Sequence, residues 1–225
     1  MQPAASDFLK FSNPSQAGVA LADALAHYRR APQTIVLAIV RGGVPLGVEV
    51  ARALDLPLDL IVLRAIFQRP DSSVVRIVRV AGQLAQDELV EFGMPAIGSI
   101  ESIFLEDAIN ALLSREVECR GSRPPRSILG QTVILVDNGM RTGGTMQAAI
   151  AAVRELGAAR VVAATPVGAA QTRVRIAALA DETICLNCPE PFIHVGVWYR
   201  QFEVPTEREI AAQLQSFDTS REIVD

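Results

Sequence analysis

The chain has 225 residues, of which 50% are hydrophobic and 20% charged, a composition that excludes an intrinsically disordered protein and allows one sizeable core. The 21 basic residues are scattered and are outnumbered by 25 acidic ones, which argues against a nucleic-acid-binding surface. No apolar run reaches the roughly 18 residues of a membrane-spanning helix, and residues 1–7 lack a secretory signal pattern. We therefore expect one cytoplasmic domain over residues 1–225 that acts on a small molecule.

The N-terminal part of the chain alternates between helical and strand patterns. Asn13 is typical of an N-cap and predicts a first amphipathic helix after it. Residues 34–40 are a continuous β-branched and apolar run, typical of a strand buried on both faces of a parallel sheet. Residues 41–43 break this run, Pro45 suits the first turn of a helix, and residues 58–64 supply another strand. Together they predict a β-loop-α-β unit.

Residues 65–100 do not continue this alternation. Residues 74–80 alternate as a strand does, whereas residues 92–95 have the composition of a turn. We interpret residues 65–100 as an inserted flap, or hood, of the domain. A helix is expected over residues 105–116, followed by a polar, proline-rich linker. The arginines around this linker are expected to form a solvated face: Arg115, Arg120, Arg123 and Arg126.

The C-terminal part resumes the alternation. Residues 132–136 predict a third buried strand, and residues 146–156 give the clearest helical pattern, closed by Gly157. Further elements are expected as a strand over residues 160–165, a helix over 169–180, a strand over 183–186 and a last helix opened by a capping box at 206–209. The order of the elements predicts an α/β fold, a parallel twisted sheet flanked by helices.

The loop that joins the third strand to the next helix is the candidate site. Asp137 stands at the carboxyl end of a buried strand, where open α/β sheets bind their ligands. Gly143 and Gly144 allow close approach of the backbone, so that free N–H groups can contact a phosphate at the helix N-terminus. The hydroxyls of Thr142 and Thr145 can add to these contacts. Because the Asp137 carboxylate can accept hydrogen bonds from a vicinal diol, the segment predicts a sugar-phosphate site.

The glycine patterns of a dinucleotide site and of a P-loop are both absent from the sequence. Instead, VILVDNGMRTGGTM (residues 133–146) resembles the phosphoribosyl pyrophosphate (PRPP) signature of type I phosphoribosyltransferases. TIVLAIVRGGVPLGVEVARALDLPLDLIVLR (34–64) and PEPFIHVGVWYRQF (189–202) resemble the start and the end of a family of bacterial phosphoribosyltransferases. The resemblance covers nearly the whole chain.

This resemblance implies a transferase that uses PRPP, releases pyrophosphate and takes part in nucleotide metabolism. It implies Asp137 and Arg41 as catalytic residues and magnesium delivered with PRPP, with no metal site of the protein's own. Pyrophosphate would be bound by Arg41, Gly42 and Gly43. Ribose and the 5-phosphate would be bound by Asp137, Asn138, Gly139, Arg141, Thr142, Gly143, Gly144 and Thr145. A homodimer is the expected assembly.

Three positions depart from the family pattern. Asn138 stands where the family has a second acidic residue, Arg141 replaces a usually small residue, and Ala65 replaces a lysine. Because neutral hydrogen bonds are weaker than charge-assisted ones, weaker PRPP binding is expected. The leading interpretation is a phosphoribosyltransferase whose acceptor is a nucleobase or another small nitrogen nucleophile. A non-catalytic regulator that binds PRPP or a nucleotide stays open, as does an unrelated nucleotide hydrolase or transferase.

Two further motifs are expected to be structural. Cys185 and Cys188 form a CxxC, but the second pair that a zinc site needs is absent, so a metal or redox role is not expected. Trp198 and Tyr199 are expected to pack in the core or in a subunit contact rather than to stack on an acceptor base.

Overall fold

The computed structural model describes residues 10–67, 74–89 and 102–222. Seven strands form one sheet: β1 Thr34–Ile39, β2 Leu58–Phe67, β3 Val74–Val80, β4 Gln83–Leu89, β5 Thr132–Val136, β6 Arg160–Val167 and β7 Glu182–Asn187. Their order in the sheet is β4-β3-β2-β1-β5-β6-β7. The five strands from β2 to β7 in this order run parallel, whereas β3 is antiparallel to β2 and β4 is antiparallel to β3. The predicted α/β fold is confirmed, with a mixed rather than wholly parallel sheet.

Within the described residues, six α-helices accompany the sheet: α1 Pro14–Ala24, α2 Val44–Leu54, α3 Ser102–Arg120, α4 Gly144–Glu155, α5 Ala170–Ala177 and α6 Glu207–Glu222. Asn13 caps α1 by accepting a hydrogen bond from the backbone N–H of Gln16, as the sequence predicts. The capping box of α6 is also present, because Glu209 accepts from the backbone N–H of Thr206 and donates its own to the Thr206 hydroxyl. No helix in these described ranges is long and apolar enough to cross a membrane.

Strand β1 is buried on both faces, which explains why it is apolar from residue 35 to residue 39. Val36 and Ala38 belong to the core on the face that α1, α2 and α6 cover. Ile35, Leu37 and Ile39 belong to the core under α4, on the opposite face. Because successive side chains of a strand point to opposite faces, these five residues of β1 contribute to both cores.

Two antiparallel strands extend the sheet where the sequence suggests an insertion. β3 pairs with β2 from Ile61↔Val80 to Phe67↔Val74, and a tight turn at Ala81 and Gly82, both with positive φ, leads into β4. The strand predicted over residues 74–80 is therefore confirmed. The flap over residues 65–100 stays a prediction, because residues 68–73 and 90–100, including the turn at 92–95, lie outside the described residues.

The expectation of a solvated arginine face is wrong for Arg120 and Arg123. The Arg120 guanidinium is buried and pairs with the carboxylates of Asp59 on β2 and Glu116 on α3. Arg123 pairs with Asp218 on α6 and donates to the carbonyl of Leu58 at 3.2 Å. Their acidic partners are mostly distant in sequence, so the local charge pattern does not reveal that these arginines tie α3, α6 and β2 together.

Candidate active site

The loops that follow β1 and β5 lie against each other at the carboxyl edge of the sheet. A Cβ atom at Gly42 would lie 2.0 Å from Nδ2 of Asn138, so the Asn138 amide occupies the space above this glycine. A Cβ atom at Gly43 would lie 2.3 Å from the carbonyl oxygen of Val136 and 2.7 Å from that of Ile39. Gly43 therefore has no room for a Cβ atom between two backbone carbonyls, whereas at Gly42 the neighbouring group is a side chain that can rotate. The peptide bond between Val40 and Arg41 is cis.

Asp137 is half-buried immediately after β5. The backbone N–H of Asn138 donates to its Oδ1 at 2.8 Å. Burial raises the pKa of the Asp137 carboxyl to about 7, against the lowering effect of that N–H. Near neutral pH the carboxyl can therefore exist in either protonation state, and a ligand that donates hydrogen bonds favours the ionised one.

The loop over residues 139–145 is fixed through its backbone and leaves several side chains exposed. The Met140 N–H donates to the carbonyl of Val167 at 2.9 Å, and the Thr172 hydroxyl donates to the carbonyl of Arg141 at 2.7 Å. The side chains of Arg141, Thr142 and Thr145 are all exposed, so they can contact a ligand.

The first turn of α4 fits the predicted anion site. Gly143 adopts φ +76° at the N-cap position, a left-handed conformation that favours glycine, and no side chain caps the helix. The amide groups of the first turn thus lack a side-chain acceptor. They also lie at the positive end of the helix dipole, where an anion is stabilised.

Arg76 lies beside this helix terminus, a neighbour that the sequence interpretation missed. It is a buried side chain of β3, and a Cβ atom at Gly144 would lie 2.2 Å from its Nη2. Gly144 is therefore needed for packing against the guanidinium. The alternation of β3 could have indicated that Arg76 shares the face of Val78, which belongs to the core under α4.

Tyr199 connects the C-terminal segment to the site. Its hydroxyl donates to the carbonyl of Asn138 at 2.6 Å, and its ring contacts those of Phe11 and Phe202. Burial, together with the nearby Asp137 carboxylate, raises the pKa of the Tyr199 hydroxyl. Trp198 and Tyr199 are both buried, so the core prediction is confirmed.

The predicted pyrophosphate loop presents Arg41 at the surface. Nη1 of Arg41 lies 3.8 Å from Oε2 of Glu207, in the first turn of α6, and Glu207 also accepts from Nε of Arg115 at 3.1 Å. Arg41 is thus close to an acidic group of its own chain. The structure brings Gly42 against Asn138 and Gly43 against the carbonyl of Val136, whereas Arg41 lies near Glu207.

Comparison with known proteins agrees with this architecture. Residues 15–201 match the model of the phosphoribosyl transferase domain. Two curated relatives, from Mycobacterium tuberculosis strains CDC 1551 and H37Rv, are 33% identical over 207 residues, and their names assign them provisionally as phosphoribosyl transferases. The match covers 91% of this chain but only 46% of each relative, so the chain spans less than half of their length.

A solved structure with a similar level of sequence identity shows the same fold. The crystal structure of TT1426 from Thermus thermophilus superposes with a TM-score of 0.74 at 30% identity, covering 93% of this chain and 99% of that one. The resemblance inferred from residues 133–146 is therefore confirmed at the level of the family. The chain belongs to the family of phosphoribosyl transferase domains.

Proposed function

We propose that the protein binds PRPP and transfers its phosphoribosyl group to a small nitrogen nucleophile, releasing pyrophosphate. The proposal is supported by one segment that carries Asp137 at the end of β5, Asn138 in contact with Gly42, and the uncapped N-terminus of α4. The Asp137 carboxylate can accept hydrogen bonds from a ribose diol, and the first turn of α4 can bind a phosphate. The loop of Gly42 and Gly43 adds a second backbone segment to the site. The acceptor belongs to the class of nucleobases and other small nitrogen nucleophiles.

In this proposal the ribose and its 5-phosphate lie along the loop after β5. Asp137 accepts hydrogen bonds from the ribose hydroxyls, and Asn138 contributes a neutral contact beside it. The 5-phosphate lies at the first turn of α4, against the backbone of Gly143 and Gly144 and the hydroxyls of Thr142 and Thr145. Gly139 and Arg141 complete the binding loop.

The pyrophosphate group lies against Arg41, Gly42 and Gly43, and magnesium would be delivered with it. The carboxylate of Asp137 and the amide oxygen of Asn138 are hard oxygen donors that suit magnesium, which commonly combines one or two protein oxygens with phosphates and water. Magnesium would neutralise the charge of the departing pyrophosphate. Arg41 would pair with the same charge after exchanging its contact with Glu207 for one with the ligand.

The protein's own contribution to the reaction is positioning and charge neutralisation. The bond from ribose C1 to the pyrophosphate oxygen breaks, the bond from C1 to the nucleophile's nitrogen forms, and the nitrogen loses its proton to solvent. Arg141, always protonated, excludes a base at its position. Asp137 orients the ribose and stabilises the positive charge that develops on it, and Arg41 stabilises the leaving group.

A non-catalytic regulator that binds PRPP is the second candidate. Two observations favour it: Asn138 supplies no negative charge beside Asp137, and Arg41 already lies near Glu207. Substituting Asn138→Asp distinguishes the two functions. A weakened enzyme should gain turnover, measured as pyrophosphate release with a panel of nucleobases and amines, whereas a regulator should gain only affinity.

Calorimetric titration with PRPP, with and without magnesium, tests the shared part of both candidates. We expect magnesium-dependent heat that Asp137→Ala abolishes and that ribose 5-phosphate reproduces only weakly. Folded protein that releases no heat with PRPP would overturn the proposal. The same proposal includes a cytoplasmic location, which cell fractionation tests, and a role in nucleotide metabolism, which metabolite analysis tests. It also includes a homodimeric assembly, which light scattering tests.

A further inference from the structure

Two cysteines outside the proposed site lie in contact with each other. Cys185 belongs to β7, which lies at one edge of the sheet, and Cys188 follows the end of that strand. Their Sγ atoms are 3.3 Å apart, and both thiols are free. Both residues are only partly buried. The two thiols are therefore close enough to react with each other while solvent can still reach them.

The backbone fixes this proximity. Cys185 is paired with Thr165 of β6, and its Sγ would lie only 3.1 Å from a Cβ atom at Gly168. The backbone N–H of Gly168 donates to the carbonyl of Asn187, the last residue of β7, at 3.0 Å. The segment is thus held at Cys185 and at Asn187, the residue before Cys188, which favours an intramolecular step over reaction with a second molecule.

The two thiols differ in acidity. The contact with Cys185, helped by the charge of Arg173, lowers the pKa of Cys188 to about 7 against the effect of burial. The same contact with Cys188, followed by burial, raises the pKa of Cys185. Cys188 is the better thiolate of the pair, and thiolates are the nucleophiles of disulfide exchange.

Cys119 provides a contrast within the same chain. It is completely buried in α3, and burial raises the pKa of its thiol to about 11. A small oxidant can therefore react with the pair of Cys185 and Cys188, whereas Cys119 is expected to be unreactive.

We propose that Cys185 and Cys188 are a modification site that forms a reversible intramolecular disulfide by exchange with a low-molecular-weight disulfide, glutathione disulfide being the probe. The Cys188 thiolate attacks one sulfur of the probe and expels one glutathione thiolate. Cys185 loses its proton to solvent, attacks the sulfur of Cys188 in the mixed disulfide and expels the second glutathione. The cysteine pair gives up two electrons and two protons, and the probe's disulfide is reduced to two thiols.

The full-length folded protein is incubated with glutathione disulfide, then denatured, alkylated and measured by intact mass and peptide mapping. The three cysteines of the reduced protein should fall to one alkylatable thiol, Cys119, with no glutathione retained and with Cys185 linked to Cys188. Dithiothreitol should restore all three. Three alkylatable thiols after oxidation, or a glutathione that stays on the wild-type protein, would overturn the proposal.

Single substitutions test the order of the two steps. Cys185→Ser should accumulate glutathione on Cys188, because the resolving thiol is missing, and Cys188→Ser should react at least about tenfold more slowly than the wild type. Cys119→Ser is the matched control and should form the disulfide at the wild-type rate. If the Cys188→Ser protein reacts as fast as the wild type, Cys188 is not the attacking thiolate. If a variant fails to fold, the peptide map of the wild-type protein still shows whether Cys185 and Cys188 are linked.

Discussion

Gly42 is the residue at which the two loops of the proposed site meet. Substituting Gly42→Ala would place a Cβ atom where the Asn138 amide lies, 2.0 Å from Nδ2. Since Asn138 can rotate away, we expect little loss of stability but a roughly tenfold loss of PRPP affinity, about 1.4 kcal/mol. Calorimetric titration of the single variant measures this loss.

A double-mutant cycle with Asn138→Ala isolates the cause. In the Asn138→Ala background the added methyl group meets no amide, so Gly42→Ala should then have almost no further effect on PRPP affinity. Additive losses would show that Gly42→Ala acts through the loop backbone and not through Asn138.

The Asp137 carboxyl links stability to pH. Its pKa is raised from 3.8 to about 7 in the folded protein, so the folded state holds a proton that the unfolded state releases. The stability that this proton contributes is complete below about pH 4 and is lost as the pH rises to about 7. Relative to the wild type, Asp137→Asn should therefore gain stability over this interval, by at most about 4 kcal/mol, and the gain should then level off.

Urea unfolding of the ligand-free protein from pH 4 to pH 9, with EDTA present, measures this difference. The same Asp137→Asn substitution should abolish PRPP binding at every pH, which separates the cost of the carboxylate in folding from its use in binding. A stability difference that does not change with pH would show that burial does not perturb this carboxyl.

At the scale of elements, the buried ion pairs of Arg120 hold α3 against β2. Arg120→Ala would leave the carboxylates of Asp59 and Glu116 buried without this cation, and such a change typically costs about 3–5 kcal/mol. Arg126→Ala is the matched control, because that side chain is exposed and its loss should cost under about 0.5 kcal/mol. Denaturant midpoints of the two variants decide between a buried network and a solvated face.

Arg76 offers a prediction about the contact between β3 and α4. We expect Arg76→Met to weaken binding of PRPP and of ribose 5-phosphate by roughly tenfold, because a cation next to the first turn of α4 strengthens phosphate binding. Arg79→Met is the control on the same strand, since Arg79 pairs with Glu116 on the other face. Arg79→Met should reduce stability and leave affinity unchanged. If both variants lose affinity equally, Arg76 has no specific role in phosphate binding.

The elements that the sequence predicts well are those defined by local physics. The apolar run of β1, the N-cap at Asn13 and the glycine that ends α4 depend on neighbours within a few residues. The contacts that it does not predict join distant positions: Arg120 to Asp59, and Arg76 to Gly144. The site divides in the same way, because the phosphate loop is continuous in sequence whereas the Tyr199 contact to Asn138 arises only when the chain is folded.

At the scale of the whole molecule, α6 lies outside the family match but completes one of the hydrophobic cores. The match ends at residue 201, yet Ile210, Leu214 and Phe217 of α6 are buried in the core with α1 and α2. Full burial of such a side chain contributes about 1.5–3 kcal/mol, so the three together approach the total stability of about 5–15 kcal/mol typical of a domain. We therefore expect a chain ending at residue 205 to lose cooperative thermal unfolding.

Point substitutions in α6 show whether this loss comes from the core. Leu214→Ala should cost about 2–5 kcal/mol, whereas Gln215→Ala, at an exposed neighbouring position, should cost under about 0.5 kcal/mol. Circular dichroism melts of the truncated chain and of both variants provide the measurement. If the truncated chain still unfolds cooperatively and binds PRPP, α6 is an accessory element. If it no longer folds, the apolar face of α6 is required for the fold that carries the site. Glu207 at the start of α6 also lies next to Arg41, so the helix contacts the site directly.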